Sequence, residues 1–451
     1  MNDEAARHAA RKAALIASMQ ALSHDEAAPL GLSKRSSNLF RDRAKRNKRR
    51  LDLGEFDHVI EVDSAYGWVD VEGTTSYENL VDATLPHGVM PAVVPQLKTI
   101  TVGGAVAGIG IEATSFRQGL VHDTMLECDV LLPGGDIVTC TPENEHRDLF
   151  FGFPNSYGTL GYALRVRLRT LPVKRFVRVQ HRRHAAAHDF FKGLSAACDE
   201  PADFVDGVVF GPELQVTNAA QFVDEAPWSS DYTFKQIYYR SLPDKPLDYM
   251  SIRDYLWRWD TDWFWCSKNL GAQHPLVRRL LGRKRLNSRT YTRLMHWNAR
   301  WGVTRLLARW GGRHPESVIQ DVDIPVDRAG EFLAFLLREI GILPIWVCPI
   351  RSPDAARRFP LYPLAPGTAY FNFGFWDVVD STVENEPGHF NRLVEHEVLR
   401  LGGIKSLYSD CFFTGDEFAQ AYNADQYATL KAKYDPRGEM LGLYEKCVLR
   451  G

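Results

Sequence analysis

Cysteine is sparse and unpatterned in this chain of 451 residues. Its seven cysteines stand at 128, 140, 198, 266, 348, 411 and 447, and no two form a C-x-x-C pair. That argues against structural zinc and thioredoxin-type chemistry, and an odd, scattered set fits a reducing cytoplasm. Long apolar runs are missing too. The best stretch, 332–350, is broken by Arg338, Glu339, Gly341 and Pro344, so no transmembrane helix is expected. The N-terminus is acidic and then rich in Ala and Arg, without the apolar region of a signal peptide. A net charge of −2 gives no excess that points to nucleic acid. Internal repeats and low-complexity linkers are absent. What is present, 45% apolar residues, suffices for two or three domains with full cores.

The most informative stretch runs from Pro95 to Ser115 and holds Gly103, Gly104, Gly108 and Gly110 among small and β-branched residues. Glycine lets a backbone approach a ligand closely, and consecutive N–H groups form a nest for anionic oxygens. Gly108-Ile-Gly110-Ile-Glu-Ala113 superficially fits the dinucleotide fingerprint G-x-G-x-x-G/A. That fingerprint needs a strand before and a helix after, whereas a second glycine pair precedes this one and no helical periodicity follows. A glycine-rich structural turn is the plainer alternative.

The wider pattern is ordered: Thr101-Val102-Gly103-Gly104, Gly108-x-Gly110, Gly119, then Val130-Leu-Leu-Pro-Gly-Gly-Asp136, Asn144-x-x-x-Asp148-Leu-Phe150 and Ser156-Tyr-Gly-Thr159-Leu-Gly161. It resembles the FAD domain of the vanillyl-alcohol-oxidase (PCMH-type) flavoproteins. Gly110-Ile111-Glu112, Cys140-Thr-Pro-Glu143, Val318-Ile-Gln-Asp321, Pro344-Ile-Trp-Val-Cys-Pro349 and Leu407-Tyr-Ser-Asp-Cys411 are similar to the delta-24 sterol reductase (diminuto) subgroup, over about residues 50–450. The resemblance implies an α+β fold: a two-subdomain FAD domain, an α/β substrate cap, and a C-terminal segment returning to the flavin. It implies FAD with NADPH, and reduction of an isolated lipid double bond. A related actinobacterial group reduces a 10-methylene fatty acyl chain to the 10-methyl (tuberculostearic) form, with a lipid methyltransferase acting upstream. Familiar sterol reductases carry an N-terminal membrane segment that is not seen here, which favours the acyl substrate. A sterol side-chain reductase, an alcohol or sugar oxidase of the same fold, and a membrane-associated flavin binder without turnover stay open.

The resemblance assigns cofactor contacts to Ser36, Ser37 and Asn38, to Pro95, Thr101, Val102, Gly103, Gly104, Gly108, Gly110, Ile111, Glu112, Ser115 and Gly119, and to Thr159 and Gly161. No histidine stands within residues 28–50, where the resemblance places the linking histidine of covalent members, so FAD is expected to be non-covalent.

Residues 1–27 read as an Ala/Arg-rich helical extension outside the core fold, 28–175 as the FAD domain, 176–395 as the cap and 396–451 as the C-terminal segment. Strands are expected at Val59–Val62, Trp68–Glu72 and 163–170, and a helix at Tyr77–Leu85. Further strands are expected from Val177, at Gly207–Phe210, Ile319–Ile324, Leu343–Ile350 and Ala369–Phe375, with an amphipathic helix over 326–341.

Two charged segments stand out. Arg41 to Arg50 holds seven basic residues in ten, a solvated face or a landing patch for phosphate. His274 to His314 holds eleven Arg and Lys and no acid, interleaved with Leu280, Leu281, Trp297, Trp301, Leu306, Leu307 and Trp310. That is the pattern of an interfacial membrane helix, so a peripheral position on the inner face of the cell membrane is expected; a helical part of the cap is the alternative. The run Trp257-Arg-Trp259-Asp-Thr-Asp-Trp263-Phe264-Trp265 lines a lipid tunnel, meets the membrane, or fills the cap core. An isolated alkene has no carbonyl to polarise it, so its reduction needs a proton donor in an apolar site, and burial keeps a carboxyl protonated. The candidates are Asp410 with Tyr408, Asp321, and His396.

Overall fold

Apolar and polar residues alternate along Tyr162–Pro172, and this strand is the spine of the first layer. A computed structural model describes residues 3–21, 28–33, 40–41, 47–301 and 312–450, with backbone alone for 20–21 and 295–301. In it the strand lies between Trp68–Glu72 and Met125–Leu131, flanked by Val59–Asp63 and Ile137–Cys140; Val89–Pro91 also pairs with it, and every pairing is antiparallel. Val166 and Leu168 face the core, while Arg165 turns out to grip Asp70 and Asp129 on the two neighbouring strands. The helix expected at 77–85 forms over Tyr77–Thr84, started by Ser76 Oγ accepting from the Asn79 N–H at 3.2 Å.

The second layer is an eight-stranded antiparallel sheet in the order Leu247–Ser251, Phe176–His184, Leu214–Val223, Phe204–Gly211, Ile345–Ile350, Tyr370–Ser381, His314–Pro325, Ile404–Lys405. All five strands expected after residue 176 fall in it. One face carries Val318, Val322, Ile324, Phe371, Phe373 and Phe375 against the helices Ala187–Asp199, Ala329–Phe335 and His389–Arg400. The segment 326–341 is composite: a 3-10 turn, then the α-helix Ala329–Phe335, then a π-helical stretch Leu336–Ile340 stopped at Gly341.

The other face meets the FAD layer. Trp257, Trp259, Trp263, Phe264 and Trp265 fill the space between the sheets, so both layers share one continuous core. The aromatic run is therefore core and cavity wall, not a membrane-facing stripe.

The N-terminal helix corrects an expectation. Asp3–Ala21 is helical but docked, not outside the fold. Leu15 joins Leu30, Leu51, Leu53, Phe56 and Leu164 in a small core. His8 Nδ1 and Arg11 Nε reach Glu72 Oε1 at 2.7 and 2.9 Å, and Lys12 Nζ donates to Asp129 at 2.8 Å. Burial alone would raise the Glu72 pKa, but the bonds from His8, Arg11 and His58 outweigh it and hold it low. Among the described residues no helix is long and apolar enough to cross a membrane.

Candidate active site

Thr101 caps the short helix Val102–Ala107, its Oγ1 accepting from the Gly104 N–H at 3.3 Å. This corrects the simplest picture of the loop as an open nest. The Val102 and Gly103 N–H groups donate to Thr75 O and Gly73 O, and Val102 buries its side chain. Gly104 is exposed, and a Cβ there would meet only Thr101 Oγ1. The free donors come later: the N–H groups of Ile109, Gly110 and Ile111 have no acceptor among the described residues. Gly110 is wedged so tightly that a Cβ would lie 2.5 Å from Val121 Cγ2 and 3.2 Å from Pro95 Cγ.

The Ser115 hydroxyl accepts from the Glu112 N–H at 3.1 Å and closes this turn. Gly119, at φ 76°, lies over Asp123. Glu112 is used differently from expectation. It is buried and ion-paired at 3.0 Å with Arg258, which also holds Asp206 at 2.9 Å. Burial pushes the Glu112 pKa up to about 6 against the pull of Arg258. Its carboxylate thus ties the glycine loop to the cap.

Beside Gly108 stands Tyr157, its ring 3.4 Å from where a Cβ would be. Its hydroxyl and the Ser156 hydroxyl are buried with no hydrogen-bond partner among the described residues. Thr159 bonds inward to Ser156 O, and its own carbonyl accepts from Lys431 Nζ. Gly161 allows close packing on Leu131. Lys446 Nζ donates to Tyr157 O at 2.7 Å, so the C-terminal segment does lie on this part of the FAD layer. Three free backbone donors, unpartnered hydroxyls and a position that admits only glycine fit a diphosphate-bearing group such as FAD. Ser36, Ser37 and Asn38 lie outside the described residues.

Asp321 lies across from this loop on the cap sheet. A small cavity of about 10 Å³, room for about one water, is lined by Asp321, Phe264, Trp265, Trp346, Gly374 and Trp376. Asp321 is half-buried and lines this cavity. Directly across the strand pair stands Gly374, where a Cβ would come within 2.6 Å of Asp321 Oδ1. Burial pushes the Asp321 pKa up to about 7, and Asp323 below it adds to the rise. Tyr408 approaches closely enough to lower that value somewhat, yet the geometry falls short of a formed hydrogen bond, and its Oη has no other partner among the described residues. Asp323 accepts from Tyr362 Oη and Asn372 Nδ2, each at 2.8 Å, and burial raises its pKa to about 6.

Tyr408 packs edge-on to Phe40 and tilted against Trp376. The Phe40 N–H donates to Tyr408 O at 2.9 Å, which joins the N-terminal segment to the loop Leu407–Cys411. Asp410, on the same loop, is half-buried, and its carbonyl accepts from Lys405 Nζ. His396 is not brought to the site. It sits exposed on the helix His389–Arg400, 3.5 Å from Glu417. Asp321, Tyr408 and Tyr157 lie close together: beyond burial, the main cause, Asp321 helps raise the Tyr157 pKa, and Asp321 and Tyr157 both help raise that of Tyr408. Tyr157, Gly374, Trp346, Trp376 and Arg258 were not singled out as site residues from sequence. Tyr157 had a signal in the Ser156-Tyr-Gly motif.

Residues 5–141 match the family model of the FAD binding domain, a span that includes most of the N-terminal helix. The chain is 26% identical over 442 residues to a delta(24)-sterol reductase of Arabidopsis thaliana, covering 88% of this chain and 76% of that protein. It is 26% identical over 435 residues to that of Homo sapiens, covering 89% and 78%. A cytokinin dehydrogenase of Oryza sativa is 31% identical over 147 residues, 32% of this chain. The first two likenesses span most of the chain, and the third spans about the length of one domain. The chain is an FAD-dependent oxidoreductase with a PCMH-type FAD-binding domain, similar over most of its length to delta(24)-sterol reductases.

Proposed function

We propose that this protein reduces an isolated carbon–carbon double bond in a lipid with FAD and NADPH, the leading substrate being a 10-methylene fatty acyl chain converted to its 10-methyl form. The observation that carries the reading is the Asp321 carboxyl, neutral up to about pH 7 inside an aromatic enclosure. An unactivated alkene accepts a proton only from an acid that water does not level, and such an acid must be protonated at working pH. Bound FAD, once reduced, supplies the hydride. Asp321 gives its proton to the less substituted alkene carbon, leaving positive charge on the branched carbon. The faces of Trp265, Trp346, Trp376 and Phe264 favour that charge, worth about 2 kcal/mol or more for a desolvated cation over a ring. Tyr408 Oη stands close enough to Asp321 to donate a hydrogen bond to it once ionised, and the carboxyl takes its next proton from solvent.

A sterol side-chain reductase is the second reading, supported by the names of the relatives. An alcohol or sugar oxidase needs the reverse, a base that takes a hydroxyl proton, and a carboxyl protonated to about pH 7 serves that poorly. The test is anaerobic: NADPH-reduced protein is mixed with a 10-methylene phospholipid, a delta-24 sterol or a fatty alcohol, and the flavin spectrum is followed. Rapid reoxidation by the methylene lipid and none by the alcohol is expected. Reoxidation by the sterol alone selects the second reading, and reduction of the oxidised protein by the alcohol overturns both.

A further inference from the structure

We infer that the face formed by the helix Pro275–Leu281 and the first turns of Ser288–Trp301 docks the protein on an anionic lipid bilayer. Exposed large apolar side chains concentrate here: Leu276 is 67% and Leu280 82% exposed, one helical turn apart, with Leu270 and Leu294 beside them at 45% and 44%. Arg279, Lys284, Arg285 and Arg293 are exposed around these leucines and have no carboxylate partner among the described residues. Two acids reach the patch, Asp231 on Arg283 and Glu78 on Arg289, and they leave the excess positive. Leucines ringed by free cations match the two attractions of an interfacial helix: charge brings the face to the lipid headgroups, and apolar burial holds it there.

Arg278 does not belong to that face. It is buried and paired with Asp262 at 2.6 Å. Ser288 likewise bonds Asp260 at 2.5 Å, the Tyr291 hydroxyl donates to Thr261 O at 2.9 Å, and the Tyr291 ring stacks on Trp263. These contacts fix the face rigidly to the segment that continues into Phe264 and Trp265, the wall of the Asp321 cavity. The docking face and the acid are thus two sides of one wall, which suits an acyl substrate that resides in a membrane. The side chains of Trp297, Trp301 and Trp310 lie outside the described ones and are not needed for the argument.

The FAD-loaded protein is to be sedimented with phosphatidylcholine vesicles, with and without phosphatidylglycerol. Strong binding to the anionic vesicles, weak binding to the neutral ones and loss with added salt are expected. Joint replacement of Arg279→Glu, Lys284→Glu and Arg285→Glu should weaken binding roughly a hundredfold. Leu276→Ser with Leu280→Ser should leave binding at low salt and abolish it at moderate salt. Both variants should keep the wild-type flavin spectrum and thermal midpoint. Equal sedimentation with both vesicle types, none with either, or wild-type binding by both variants overturns the inference. So does a stable dimer that dissociates when the leucines are replaced, since the face would then belong to a second copy of the chain. None of these outcomes depends on which alkene is reduced.

Discussion

Asp321 and Gly374 are a pair made by strand register. A carboxyl raised to about 7 is about half protonated at pH 7 and loses the rest of its proton above it. Alkene reduction should therefore fall as pH rises through about 7, in single-turnover reoxidation followed by flavin absorbance. Asp321→Asn should slow that step by about 10²–10⁴-fold while FAD content is unchanged. Asp410→Asn should cost far less. The same shift has a sign in stability. Its folded pKa lies above the unfolded one, so the contribution is full below about pH 4 and lost as pH climbs through 7. Asp321→Asn should consequently raise the thermal midpoint relative to wild type at pH 8 and not at pH 4. Gly374→Ala puts a methyl 2.6 Å from Oδ1, and the carboxyl must turn from the cavity. Turnover should drop with FAD retained, and retained turnover would show that the carboxyl can shift without cost. The motif Val318-Ile-Gln-Asp321 nominated the acid from sequence, but Gly374 had no local signal, because its role exists only through its partner 53 residues away (374 − 321).

Helix and loop docking rest on buried charge. Glu72 receives His8, Arg11 and His58, so Glu72→Gln removes the anchor of the helix Asp3–Ala21. Limited proteolysis should then cut within that helix while the rest of the domain stays intact. Because the Glu72 pKa is depressed, its contribution is present above the unfolded carboxylate range and lost as pH falls through the folded value, so acid should release the helix too. The Leu407–Cys411 loop depends on Lys405, buried against Glu395 at 2.7 Å. Lys405→Met leaves that buried carboxylate with only Arg392 at 3.9 Å and the Phe412 N–H, and should cost up to about 3–5 kcal/mol, read by denaturant unfolding. Period-two strands such as 163–170 were readable from sequence because one face of each is buried. The docked helix was misread: its apolar stripe is thin, and charges it meets 60 or more residues away supply the contacts.

The two layers do not behave as separate bodies, since the aromatic segment 257–265 lies in a core common to both. Arg258 adds a cross-link between Glu112 of the glycine loop and Asp206 of the cap sheet. Motif order and the resemblance it carries pointed to a FAD unit and a cap, yet this bridge was invisible: Arg258 stood out only as part of the aromatic run 257–265, and nothing local ties it to Asp206 or Glu112. The shared core also turns the cavity into an optical element. At about 10 Å³ it holds no more than a water, far below the roughly 300–1,000 Å³ of ordinary ligand sites, so an acyl chain enters only as rings move apart. Trp265, Trp346 and Trp376 are the rings in question, and indole emission shifts colour and intensity with polarity and packing. Substrate arrival is thereby written into the protein's own ultraviolet fluorescence, and stopped-flow emission would time the opening of the wall separately from the chemistry behind it.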